Sequence, residues 1–296
     1  MNTDIIQRLV LPFLSISDVI IFMRCCKSFH TSVSRIYEGD ITSKISHVTE
    51  WNRTFPNAKK LNLSDTYLSN INLSKIRILH LIECSLPENN LIQLFSNIHK
   101  LIELDISECK TITDEAFSHL EGIHTLYMSG CNQITITDEA FAHLKGIHTL
   151  DMSCCKQKTI TDKAFSYLSG IHTLDMSCCK QETITDEAFL HLSGIHTLDM
   201  RWCTQETITD KAFSHLEGIH TLYMSWCNQE TITDKAFSYL SRIHTLDMRW
   251  CKQKTITDKA FSYLSGIHTL DMSCCDQKTI TDKAFSHLSG IHTLKK

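Results

Sequence analysis

The string Ile-His-Thr-Leu recurs with its histidine at positions 124, 148, 172, 196, 220, 244, 268 and 292, each 24 residues from the last. The aspartate of Ile-Thr-Asp keeps the same step, at 114, 138, 162, 186, 210, 234, 258 and 282. A unit this short cannot bury an apolar face by itself. Tandem copies are therefore confined to architectures in which each copy stacks on its neighbours.

One copy indicates what the unit folds into. Leu150 and Met152 alternate with Thr149 and Asp151, the period-two signal of a short strand with Leu150 and Met152 inward. After Cys154-Cys155 the chain reaches Ile160-Thr161-Asp162, where Thr161 or Asp162 caps a helix start. Ala164, Phe165 and Leu168 share one helical face, and Gly170 ends the helix in a left-handed conformation. Stacked copies then place parallel strands on the inner face of a curved α/β solenoid and short helices on its outer face.

Upstream the pattern decays through Leu61 and Leu63, then Leu79, Leu81 and Cys84, then Leu104, Ile106 and Cys109. Counting these, about eleven strands are expected, an inner surface on the order of 50 Å long at ~4.8 Å per strand. The last copy stops at Leu294, and Lys295 and Lys296 would discourage edge-to-edge pairing of its strand. The organisation read from the sequence is a helical module over 1–45, degenerate repeats over 46–97 and regular repeats over 98–296.

The amino-terminal segment departs from the repeat. Ile5, Ile6, Leu9 and Val10 fall on one helical face, Pro12 breaks the run, and Ser17 or Asp18 caps a second helix carrying Val19, Phe22 and Met23. The stretch Leu9–Met23 is too short and too polar to span a bilayer and has no small-residue cleavage site. No membrane partner is expected, and the default compartment is a reducing one, cytoplasm or nucleus, where thiols stay free.

Composition narrows the function. With 29 Lys and Arg against 33 Asp and Glu, the net charge of −4 offers no attraction for phosphate, so a nucleic-acid partner is not expected. The 14 Cys and 17 His invite a disulfide or metal reading. Their positions argue otherwise: one thiol per copy, at 131, 155, 179, 203, 227, 251 and 275, makes a row along a sheet edge, whereas structural zinc wants ligands meeting at one point. A second histidine set, at 119, 143, 191, 215 and 287, alternates with Tyr167, Tyr239 and Tyr263, and tyrosine does not replace imidazole in ordinary zinc sites. Cys154, Cys178 and Cys274, one position earlier than the row, should face outward, with an oxidised pair geometrically open to Cys154 and Cys178. Neither cofactor nor metal is expected. No phosphate loop, nucleophile elbow or clustered acid pair is present, so the chain reads as non-enzymatic.

The copies differ mostly at three strand-face positions. Three consecutive units carry Trp202, Trp226 and Trp250, bordered by Arg201 and Arg249 and by Asp199, Tyr223 and Asp247. Exposed aromatics with arginine have the composition of a protein-binding hot spot, which makes these eight residues the candidate substrate-binding set.

The pattern Ile-x-x-Leu-x-Met-x-x-Cys, then Ile-Thr-Asp, Ala-Phe and Leu, resembles the cysteine-containing class of leucine-rich repeat over roughly residues 55 to 296. Arg242 stands where other copies have the helix-ending glycine; if it takes positive φ it costs about 1 kcal/mol, and Arg242→Gly should then stabilise the fold. Phe13-Leu14, Asp18-Val19 and Cys26-Lys27-Ser28-Phe29 resemble an F-box, although its opening Leu-Pro is absent and Phe29 replaces the usual Trp. The resemblance implies a substrate receptor of a cullin ubiquitin ligase. A Skp-type adaptor would dock on Ile5, Ile6, Leu9, Val10, Phe13, Leu14, Val19 and Phe22, and the repeats would hold a protein substrate. The alternative is a repeat scaffold with no ligase link. The near-identical copies also resemble repeat arrays of giant amoebal viruses, which would place the protein in a host cell.

Overall fold

The computed structural model describes residues 40–42, 60–62, 76–288 and 290–296. The eight residues expected to dock an adaptor lie outside the described residues. Residues 1–111 and 112–296 form two compact units.

In the first unit, β1 (Asp40–Thr42), β2 (Lys60–Asn62), β3 (Ile78–His80) and β4 (Glu103–Asp105) pair in parallel and in chain order. Ile41, Leu61, Leu79 and Leu104 stand opposite one another at unequal sequence spacings, which is why periodicity alone did not reveal β1. Helix α1 (Glu88–Ser96) follows Pro87 and buries Leu91, Leu94 and Phe95.

The second unit carries the regular copies. Its strands are β5 (Thr125–Tyr127), β6 (Thr149–Asp151), β7 (Thr173–Asp175), β8 (Thr197–Asp199), β9 (Thr221–Tyr223), β10 (Thr245–Asp247), β11 (Thr269–Asp271) and β12 (Thr293–Lys295), all parallel and in sequence order. Each central leucine faces the next copy's leucine, and those from Leu126 to Leu270 are fully buried. Identical register follows from identical sequence: a one-residue slip would turn every leucine outward.

The helices are shorter than the sequence predicts. α2 (Asp114–Phe117), α3 (Asp138–Phe141), α4 (Asp162–Phe165), α5 (Asp186–Phe189), α6 (Asp210–Phe213), α7 (Asp234–Phe237) and α8 (Asp258–Phe261) are single turns. In α4 the Ser166 hydroxyl donates to the Lys163 carbonyl at 2.7 Å, competing with the next helical bond. Where Ala142 or Leu190 takes the place of that serine, the chain continues as a 3₁₀ turn. The buried phenylalanines and leucines nevertheless form the expected face, Phe165 and Leu168 being essentially unexposed.

Asp162 and its equivalents do not cap their own helix. Thr161 is the N-cap, its hydroxyl oxygen accepting from the Lys163 N–H at 3.2 Å. The aspartate instead reaches the following copy: Asp138 accepts from the Thr161 N–H at 2.7 Å and from its hydroxyl at 2.8 Å. The same pair of bonds recurs from Asp114 and Thr137 to Asp258 and Thr281, so the interfaces between these regular copies are stapled.

A tight turn closes each strand from β3 to β11, and it holds strain of the kind expected at Arg242. Arg242 does not adopt positive φ, and neither does Gly266 in the next copy, so Arg242→Gly has no backbone strain to release there. Positive φ is found at the helix-ending Gly122, Gly146, Gly170, Gly194, Gly218 and Gly290, and in the strand-closing turns of the regular copies at Gly130, Cys154, Cys178, Trp202, Trp226, Trp250 and Cys274, between +57° and +69°. In each of these turns the N–H of the next residue bonds back three residues, as Cys203 does to Met200 at 3.1 Å, which makes a type II turn. A side chain there costs about 1 kcal/mol relative to glycine.

Candidate protein-interaction surface

The type II turn determines what the three tryptophans can present. Because each copy repeats the same left-handed residue one strand further on, the indoles leave the backbone in parallel. Trp202 and Trp226 stack at 4.3 Å and 9°, Trp226 and Trp250 at 4.7 Å and 12°. Each stacked pair is worth about 0.5–1.5 kcal/mol, which offsets the backbone cost of a side chain at this position. The Lys180 ammonium lies 5.6 Å from the Trp202 ring and that of Lys252 5.1 Å from Trp250. What the row offers outward is therefore a line of indole edges, with Trp202 39% and Trp250 37% exposed.

The charged neighbours are paired within their own copies. Arg201 Nε lies 2.9 and 2.7 Å from the two carboxylate oxygens of Asp199, and Arg249 binds Asp247 in two-pronged fashion at 2.9 and 2.7 Å. Both aspartates are buried, while the arginine side chains stay 40% and 43% exposed. Burial pushes the Asp247 carboxyl up, but bonds from Arg249 and Ser225 outweigh it and hold the group below the usual carboxylate range. Tyr223 stands between Asp199 and Asp247 in the strand register, with the Arg201 guanidinium 5.9 Å from its ring. The eight residues read from the sequence thus form one contiguous surface. The aspartates position the arginines and have little surface of their own to offer a partner.

The thiol row lies beneath this surface. Cys155, Cys179, Cys203, Cys227 and Cys251 are buried, and each donates to the methionine carbonyl of the preceding copy, as Cys203 does to Met176 at 3.2 Å. Burial pushes these thiols up; Cys275, near the chain's end, is pushed up to about 11. They are protonated donors built into the scaffold. Among the described residues no three His, Cys, Asp or Glu side chains converge to hold a metal ion.

At the amino-terminal ends of the strands the histidines form a second row. Neighbouring imidazoles from His124 to His292 stack at 4.4–4.7 Å and within 13° of parallel. Each Nδ1 meets the hydroxyl of the following threonine, at 3.1 Å for His220 and Thr221. Desolvation, then the flanking imidazoles, lowers the pKa of His148, His220 and His268 below the ordinary histidine value. A lowered folded-state pKa means that the unfolded chain binds protons first as pH falls. This contribution to stability is present above ~6.5 and is lost as pH falls through the folded-state values. Asp175, raised by burial, acts in the opposite sense but in the carboxylate range. We therefore expect a lower melting temperature at pH ~5.5 than at pH ~7.5, with the difference reduced when His148, His220 and His268 are replaced by Asn. Equal melting temperatures in the unsubstituted protein would refute this.

Comparison with known proteins agrees with this architecture. The chain aligns with a solved Toll-like receptor in complex with single-stranded RNA (TLR13) at 23% identity and TM-score 0.68, over 82% of this chain and 36% of that one. An internalin (inlF) from Listeria monocytogenes aligns at 20% identity and TM-score 0.56, over 86% of this chain and 70% of the other. A chain of the yeast Rad7–Elc1 complex aligns at 15% identity and TM-score 0.51, over 99% and 92%. These likenesses show the fold; the chain spans only about a third of the length of the first receptor chains it matches. No curated protein matches the sequence. The BspA-type leucine-rich repeat region matches in six copies over residues 52–172, 92–219 and 158–292, and the chain, with its single-turn helices and in-register parallel strands, belongs to that family.

Proposed function

We propose that this chain is the substrate-recognition subunit of a Skp–cullin–F-box type ubiquitin ligase. It binds a protein cargo through the surface around Trp202, Trp226 and Trp250, while residues 1–45 dock a Skp-type adaptor. It does no chemistry itself and acts by holding its cargo near the transfer machinery in a reducing compartment. The observation that carries the cargo half is the stack of indole edges flanked by exposed guanidinium groups, placed where three successive copies break from the common unit. The adaptor half rests on the F-box-like residue order. It is supported by the alignment, over 99% of this chain, with a chain solved in a two-protein complex. The thiol row favours the cysteine-containing class of repeat, and the near-identity of the copies favours a giant-virus source. A second reading, a repeat scaffold with no ligase link, draws on the family match, which begins at residue 52, after the F-box-like segment.

The test is affinity purification of the full chain, a variant lacking residues 1–45, and Trp226→Gly. Glycine is the informative replacement because Gly130 occupies the same turn position at φ +69°, so the indole is removed without adding strain. Loss of a Skp-type adaptor on truncation, with cargo lost from Trp226→Gly, is the expected result. An adaptor absent from the full-chain purification leaves only the scaffold reading. Cargo retained in full by a folded Trp226→Gly variant removes the indole row from the binding surface.

A further inference from the structure

We propose that Cys154 and Cys178 form a reversible two-thiol site, closed to a disulfide by low-molecular-weight disulfides of the oxidised-glutathione class. Nothing in this inference depends on the ligase reading.

The geometry begins with register. Asp151 stands opposite Asp175, and three residues on the Cys154 N–H donates to the Ser177 carbonyl at 2.8 Å, so the two cysteines occupy equivalent places on adjacent copies. Both take the left-handed conformation, at φ +57° and +61°, and their side chains leave the backbone in the same direction. Parallel neighbours sit about 4.8 Å apart, inside the ~4.4–6.8 Å between α-carbons that a disulfide spans. Because both residues are partly exposed, the bridge is easier to reduce than a buried structural one.

Selectivity follows from the surroundings. Both cysteines are partly exposed, whereas Cys155 and Cys179 directly beneath are buried and committed to main-chain carbonyls. On either side of the pair the same turn position holds Gly130 and Trp202, so no third thiol adjoins it there. Cys274 is a built-in control: it has the same turn and is exposed, with Trp250 at the equivalent place in the preceding copy.

In the reaction one thiolate attacks glutathione disulfide, breaking its S–S bond, forming a mixed disulfide and releasing a glutathione thiolate. The neighbouring thiolate then attacks the protein sulfur of the mixed disulfide, forming the Cys154–Cys178 bond and releasing the second glutathione. Two protein thiols are oxidised, one disulfide is reduced, and the two protons pass through solvent to the released thiolates. Burial and the adjoining Cys178 raise the Cys154 pKa, so closure should be slow near neutrality and quicken as pH rises.

The experiment treats the native full chain with oxidised glutathione at several pH values, quenches with acid, alkylates after denaturation and maps tryptic peptides by mass spectrometry. The expected result is a link between peptides 146–156 and 164–180, about 2 Da below their summed mass, with fragmentation placing it on Cys154 and Cys178. Cys274 should stop at a single glutathione adduct, about 305 Da heavier, and Cys155 and Cys179 should be alkylated only after denaturation. In Cys178→Ser, Cys154 should likewise stop at the adduct, with an unchanged far-UV circular dichroism spectrum confirming the fold. Separate stable adducts on Cys154 and Cys178 in the unsubstituted protein, or links from either to a core cysteine, would overturn the proposal.

Discussion

Replacing Phe237 with alanine is expected to cost about 3–5 kcal/mol and to split the unfolding of the repeats into two transitions. Phe237 ends α7, is fully buried, and meets Phe261 of the next copy at 6.4 Å in a tilted pair. Ala236 and Phe237 are the buried residues of α7, so the ring is the one large side chain this single turn places in the core, and no long helix is available to slide into the void. In a stacked array stability divides into terms within copies and terms between neighbours, so a cavity at one interface weakens the coupling across it. The segment after residue 237 should then lose hydrogen-exchange protection at lower denaturant than the segment before it. Phe237→Leu, which keeps most of the volume, should show less than half the loss. A single cooperative transition with an unchanged midpoint in Phe237→Ala would mean that the interface is held by other groups.

The copied sequence made the fold legible because every copy states the same strand, turn and buried face. Leu150, Met152, Phe165 and Leu168 lie where their spacing puts them. A residue whose partner is in the next copy carries no such signal. Asp162 followed by helix-compatible residues looks like a cap, and nothing within one unit reveals that its carboxylate receives Thr185 from the next. Backbone strain is equally silent in the sequence. Glycine at 170 marks one left-handed site, but the second is filled by Cys154, Cys178 and three tryptophans, residue types that give no warning of positive φ. The signal that would have found it is Gly130, which alone among the copies puts glycine at that place. The candidate surface was legible as a list of residues. Its character was not, because stacking of the indoles and pairing of Arg201 with Asp199 depend on the turn geometry.

Asp186→Ala tests the staple that the sequence concealed, and we expect a loss of about 2–3 kcal/mol. Asp186 accepts from the Thr209 N–H and from its hydroxyl, both at 2.7 Å, while the same hydroxyl oxygen caps α6 by accepting from the Lys211 N–H at 3.2 Å. Removing the carboxylate leaves a partly buried main-chain donor unpaired and frees the hydroxyl that fixes the next helix. Asp186→Asn keeps one acceptor for the N–H, and its amide can donate to the hydroxyl oxygen, so about 1 kcal/mol is expected. The equivalent bonds hold the Asp258 carboxyl below its ordinary value, with the Thr281 N–H as the leading cause. A carboxylate so lowered contributes stability above its unfolded-state pKa, so the Asp258 contribution is lost as pH falls through its folded-state value. Thr209→Val, which removes the hydroxyl but keeps the N–H, separates the two bonds. If the staple is one unit, the Asp186→Ala and Thr209→Val losses, measured by denaturant titration, will sum to more than the loss in the double variant, because both remove the same hydroxyl–carboxylate bond. Strict additivity would instead mean that Asp186 acts through its own helix, as the cap that the sequence first suggested.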